Sequence, residues 1–214
     1  RDIAAELKRF DSLPAIVGAS MGGMGSLAAQ RASQSQLYRA VVLVDITPHF
    51  DMEGARKIID FMSGNPDGFA DLQEAADTIS AYNPHRARPS NPSGLTRVLQ
   101  QRPDGRWIWK WDPAYVTSKP GFGTGDQSAL AAHMERVSQI MSEGMLSTTA
   151  PILLVRGGQS DLVTPEAVKS FQDLVPEAEF VDVAGTGHMV AGDDNDAFTE
   201  AVAEFLSRHH QLFT

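Results

Sequence analysis

The chain has 214 residues, 42% hydrophobic and 21% charged, which is ordinary globular composition and too apolar for a disordered chain. It contains no cysteine, so disulfides, thiolate nucleophiles, Cys-based zinc sites and iron–sulfur clusters are excluded. Its 18 Lys and Arg against 27 Asp and Glu give a net charge of −9, which argues against nucleic acid or an anionic membrane as a partner. No apolar run approaches the length of a membrane span, and the opening RDIAAELKRF has no signal-peptide pattern. A cytoplasmic protein is expected.

Read in chain order, short apolar runs alternate with helical patterns. Residues 2–12 carry Ile3, Leu7 and Phe10 at helical spacing, and Pro14 ends that helix. Residues 15–18 form a first strand, followed by a Gly- and Ala-rich helix over 21–32. Residues 40–45, 152–155 and 179–183 read as further strands, apolar at consecutive positions. Thr164, Pro165 and Glu166 mark the start of a helix over 165–174. A last helix over 195–208 places Phe198, Val202, Phe205 and Leu206 on one face. The fold class is therefore α/β, a parallel sheet covered on both faces. Residues 50–149 interrupt the alternation and read as an inserted, mostly helical cap. The core is then 1–49 with 150–214.

Gly18-Ala19-Ser20-Met21-Gly22 is a G-x-S-x-G sequence placed directly between a strand and a helix. A serine on such a tight turn is held in a strained conformation at the carboxyl end of the sheet, and small residues two positions to either side let neighbouring backbone pass. The helix start favours developing negative charge, and the Met21 N–H is a candidate oxyanion donor. A dinucleotide fingerprint would need Gly at position 20, and the Gly-Lys-Ser/Thr of a phosphate loop is absent.

A serine nucleophile needs a base, and the base an orienting acid. His188, in a Gly-rich loop after the 179–183 strand, is the candidate base. His209 and His210 read as solvated, and His85 and His133 as surface or structural. Asp161, in the turn after the 152–155 strand, is the favoured acid. Asp45, at the end of the second strand, is the competing one. The chain order Ser20, Asp161, His188 matches the α/β-hydrolase arrangement and neither the chymotrypsin nor the subtilisin order. His49 and Met189 are candidates for the pocket mouth. Trp107, Trp109 and Trp111 alternate and share one face if that segment is extended. They would form either an apolar pocket wall or an anchor for the cap. Gly121–Gly125 reads as a loop of the cap. No metal-binding spacing is present and no cofactor is expected.

The elbow GASMGG, the acid turn RGGQSDLVTPE and the histidine turn GTGHMVAGD together resemble the α/β-hydrolase fold superfamily. The resemblance covers 1–49 and 150–214 and implies Ser20 as nucleophile, His188 as base, Asp161 as acid and the Met21 N–H in the oxyanion hole. Ser at position 20 departs from the epoxide hydrolases and haloalkane dehalogenases, whose nucleophile is Asp. Members of the superfamily carry further strands, and a loop with the second oxyanion donor, before the nucleophile strand. The missing amino-terminal part of the fold is expected upstream or on another chain. The resemblance implies a serine hydrolase of ester-like small molecules. Its alternatives are a cofactor-free haloperoxidase or perhydrolase, a carbon–carbon bond hydrolase using the same triad, or a non-catalytic ligand-binding protein on this fold.

Overall fold

The computed structural model describes residues 3–84, 90–112, 115, 118, 121–122 and 126–212. His85 and Gly123–Gly125 of the predicted cap loop lie outside them. In chain order the elements are α1 Ile3–Leu7, β1 Ala15–Ala19, α2 Met21–Ala32, β2 Ala40–Val44, α3 Met52–Ser63 and α4 Leu72–Tyr82. Then follow β3 Leu99–Gln101, β4 Trp107–Trp109, α5 Gln127–Leu146, β5 Ile152–Gly157, α6 Pro165–Leu174, β6 Glu179–Val183, α7 Val190–Asp193 and α8 Asn195–Arg208. The first helix is shorter than the predicted 2–12. The amides of Arg9 and Phe10 bond back to the Glu6 and Leu7 carbonyls, the three-residue step of a tightening helix end.

The chain divides into two compact units, Arg1–Gly54 with Met134–Thr214, and Ala55–His133. The first unit is built on a four-stranded sheet in the order β1-β2-β5-β6. All three pairings are parallel, with Ala15 opposite Ala40, Val41 opposite Ile152 and Leu153 opposite Glu179. β2 and β5 are central and every residue in them is buried. That explains their unbroken apolar runs, since a strand covered on both faces has no polar side.

Alternate residues sort to opposite faces. Ala40, Val42, Val44, Leu153, Val155 and Val183 pack with Val190, Ala201 and Phe205, so α8 covers one face. Each buried Val, Leu or Phe side chain among them contributes about 1.5–3 kcal/mol. α2 lies against the other face, where a Cβ on Gly23 would fall 2.7 Å from Ile46 and 3.3 Å from Leu43. The termini of the core helices follow the sequence signals. Thr164 Oγ1 accepts the Ala167 amide at the start of α6, and Asp194 accepts the Ala197 amide at the start of α8.

The second unit has its own small core. Phe69, Ala75 and Leu99 are buried with Leu72, Leu95, Trp107 and Trp109 packed around them. β3 and β4 pair as an antiparallel hairpin, and Gly105 takes the positive φ of 88° that its turn requires. This hairpin lies inside the segment expected to be mostly helical. Among the described residues no helix is long and apolar enough to cross a membrane.

Candidate active site

β1 runs straight into α2 through Ser20. The turn is so sharp that Ser20 has φ 47° and ψ −114°, outside the regions an L-residue favours. A Cβ on Gly18 would lie 2.6 Å from the Gly23 nitrogen and 2.8 Å from the Gly22 carbonyl carbon. Glycine is therefore required where strand and helix backbones touch. The matching expectation for Gly22 does not hold, because a Cβ there would meet nothing within 4 Å. The close partner of Gly18 is Gly23, one residue further along. The Ser20 side chain does not cap α2. Met21 opens the helix, so its N–H has no intrahelical acceptor.

Among the described residues Ser20 and Asp45 are the two non-glycine residues with positive φ, at 47° and 48°. They stand at the carboxyl ends of adjacent strands, and the Ser20 amide donates to the Val44 carbonyl at 3.1 Å. Strain of this kind persists only where surrounding structure holds it, and it concentrates at functional positions. Asp45 is fully buried. Its carboxylate receives the Gly157 amide on Oδ1 at 2.9 Å and the Ser160 hydroxyl on Oδ2 at 2.5 Å. His188 Nδ1 lies 2.7 Å from the same Oδ2. An ionised carboxylate only accepts, so the imidazole proton sits on Nδ1 and Nε2 is left as the basic nitrogen.

The carboxylate that faces His188 is thus Asp45, not the favoured Asp161. The reason lies in the turn after β5. The Ser160 amide bonds the Gly157 carbonyl at 2.8 Å and the Gln159 amide bonds the Thr186 carbonyl at 2.8 Å. That turn brings the buried side chain of Ser160 to Asp45 and leaves Asp161 exposed. Arg156 braces the same turn. It is buried and donates through Nε to the Val163 carbonyl and through Nη1 to Asp182, at 2.5 and 2.9 Å. The histidine loop crosses directly over β5, where a Cβ on Gly157 would sit 2.0 Å from the Gly187 carbonyl oxygen.

His188 is mostly buried, with 16% of its side chain exposed, whereas its neighbour Met189 is 52% exposed. Met21 beside the serine is 55% exposed. Two sulfur-bearing side chains therefore flank the candidate nucleophile and base in sequence. Among the described residues no hydrogen bond joins Ser20 to His188. Such contacts are often long before substrate binds. His49 is exposed and its Nδ1 lies 3.0 Å from the Ser170 hydroxyl on α6. Trp109 stands 5.6 Å from Phe69, 5.8 Å from Phe61 and 6.3 Å from Trp111 between ring centroids. With Trp107 it packs into the second unit's own core. His209 is bonded to Glu179 at 2.8 Å and His133 packs edge-on against Phe122 at 5.6 Å. Among the described residues no group of three His, Asp or Glu side chains is placed to hold a metal ion.

The pattern of the alpha/beta hydrolase family matches residues 1–201. The chain belongs to the alpha/beta hydrolase family. It is 27% identical over 198 residues to an esterase of Mycobacterium tuberculosis, covering 89% of this chain and 60% of that protein. It is 25% identical over 191 residues to the 2-(acetamidomethylene)succinate hydrolase of Mesorhizobium japonicum, covering 89% of this chain and 63% of that protein. The crystal structure of an E-2-(acetamidomethylene)succinate hydrolase superposes with a TM-score of 0.73 at 20% identity, over 96% of this chain and 71% of that one. The chain thus spans 60–63% of the length of these two relatives.

Proposed function

We propose that this α/β-hydrolase chain carries the catalytic residues of a serine hydrolase that cleaves an ester-like small molecule through an acyl-enzyme. The observation that carries the reading is the pair of His188 and the buried Asp45, 2.7 Å apart, at the same edge of the sheet as a serine on a strained strand-to-helix turn. Ser20 is the nucleophile, His188 the base, Asp45 the orienting acid, and the Met21 N–H one oxyanion donor.

His188 Nε2 takes the Ser20 proton as Oγ bonds to the acyl carbon and the carbonyl electrons move onto oxygen. Asp45 holds the ring in the tautomer that leaves Nε2 free, and it stabilises the imidazolium that forms. The start of α2 favours the oxyanion. Collapse breaks the bond to the leaving group, which receives the proton from His188. A water then repeats the sequence and frees Ser20. The exposed Met21 and Met189 favour an apolar acyl group.

The test is covalent labelling of the full-length protein by a fluorophosphonate, with p-nitrophenyl esters of graded acyl length and 2-(acetamidomethylene)succinate as substrates. Labelling at Ser20, and its loss together with turnover in Ser20→Ala, is the expected result. A Ser20→Ala protein with normal turnover would sink the reading.

A further inference from the structure

We propose that Ser160 is a positioning residue of the active site: its hydroxyl locks the Asp45 carboxylate in the plane and at the distance that His188 needs. The inference rests on the serine-hydrolase reading above.

The argument starts from hydrogen-bond capacity. A serine hydroxyl has one proton and two lone pairs. Ser160 Oγ accepts the amides of Leu162 and Val163, at 3.2 and 3.1 Å. Both lone pairs are engaged, so the remaining O–H has one direction left. It points at Asp45 Oδ2, 2.5 Å away, the oxygen that also faces His188 Nδ1. The donor is therefore pre-aimed by backbone and cannot rotate away, unlike a hydroxyl with free lone pairs.

Burial makes this bond consequential. Asp45 is fully buried and Ser160 is 6% exposed, so water cannot replace a missing donor. A buried carboxylate with an unfilled acceptor site is costly. With Gly157 N–H on Oδ1 and Ser160 O–H on Oδ2, the carboxylate is pinned at both oxygens. Without Ser160 the fixed backbone turn holds only Oδ1, through Gly157, and Oδ2 keeps His188 alone, so carboxylate and ring can turn together. The role follows from Asp45 serving as acid. The turn after β5, where Asp161 was expected to supply the carboxylate, supplies instead the hydroxyl that fixes a carboxylate on the neighbouring strand.

Fluorophosphonate labelling of Ser20 reads this directly, because reversible binding and the covalent step separate kinetically. Ser160→Ala is expected to lower the covalent rate constant roughly tenfold, the value of one hydrogen bond to a charged group, with the reversible constant unchanged. A purely structural role would leave the covalent rate per folded molecule unaltered. A folded Ser160→Ala protein that labels within about twofold of the unchanged protein overturns the inference. The same substitution strips two backbone amides of their acceptor. If it prevents folding, Ser160→Cys decides, since a thiol fits the site but is a weak donor. A slowed covalent step in that variant supports the inference and an unchanged one overturns it. Absence of labelling in the unchanged protein would instead overturn the serine-hydrolase reading, and this inference with it.

Discussion

Asp45 ends a strand of five buried apolar residues, and a charge in that setting survives only with partners. The three partners of its carboxylate and its φ of 48° make it the residue on which the proposed site turns. Asp45→Asn keeps the shape but offers the ring an amide, so the wrong tautomer is favoured. Esterase turnover, or Ser20 labelling, is expected to fall by about 10³–10⁴. Asp161→Asn, at an exposed position, is expected to leave both within about twofold. The reverse pattern would restore Asp161 as the acid. Both aspartates follow a strand in the sequence, and chain order fits either, because Ser20, Asp45 and His188 also run Ser–Asp–His. What separates them is which side chain of the 157–161 turn faces inward, a question of backbone rotation that residue types do not encode. The legible clue was a carboxylate closing an otherwise apolar buried strand.

Strands and helices of the core were largely readable, because burial on both faces writes itself as unbroken apolar runs and because caps such as Thr164 leave a local signature. The hairpin of β3 and β4 was not predicted as such. Its strands are only three residues long, too short for periodicity. The strand-to-helix elbow was legible as a motif but not in its detailed contacts. Gly18 and Gly22 look equivalent in sequence, yet Gly18 abuts backbone and Gly22 faces open space. Gly18→Ala is therefore expected to destabilise the protein by about 1–3 kcal/mol through overpacking. Gly22→Ala, inside α2 where the added Cβ meets nothing within 4 Å, is expected to be neutral or stabilising by up to about 1 kcal/mol. Urea unfolding of the two variants checks this. Equal losses would mean that Gly22 has a neighbour in the folded protein.

The sheet joins stretches far apart in the chain, since β2 pairs with β5 across more than a hundred residues. The carboxyl-terminal helix closes one face of it, and a charged cluster ties that helix to β6. Arg208 donates to Glu179 at 3.1 Å through Nε and again through Nη2, and His209 Nε2 lies 2.8 Å from the other Glu179 oxygen. Partial burial alone would raise the Glu179 pKa, but hydrogen bonds from Arg208 and His209 outweigh it and hold the carboxyl below the usual glutamate value. A depressed folded-state value means that the unfolded chain binds the proton more readily. The stabilisation is then complete above the ordinary glutamate range, near pH 4.3, and is lost as pH falls through the lower folded value. Glu179→Gln removes this dependence. Thermal unfolding of the two proteins should differ fully above the ordinary glutamate range, and the difference should shrink as pH falls below it. The cluster is partly exposed, with 31% of the Glu179 side chain accessible, so the difference is expected to be small and to shrink in high salt. A gap that stayed constant across that range would assign the anchoring of α8 to the apolar packing of Phe205 and Ala201, with the charges contributing nothing.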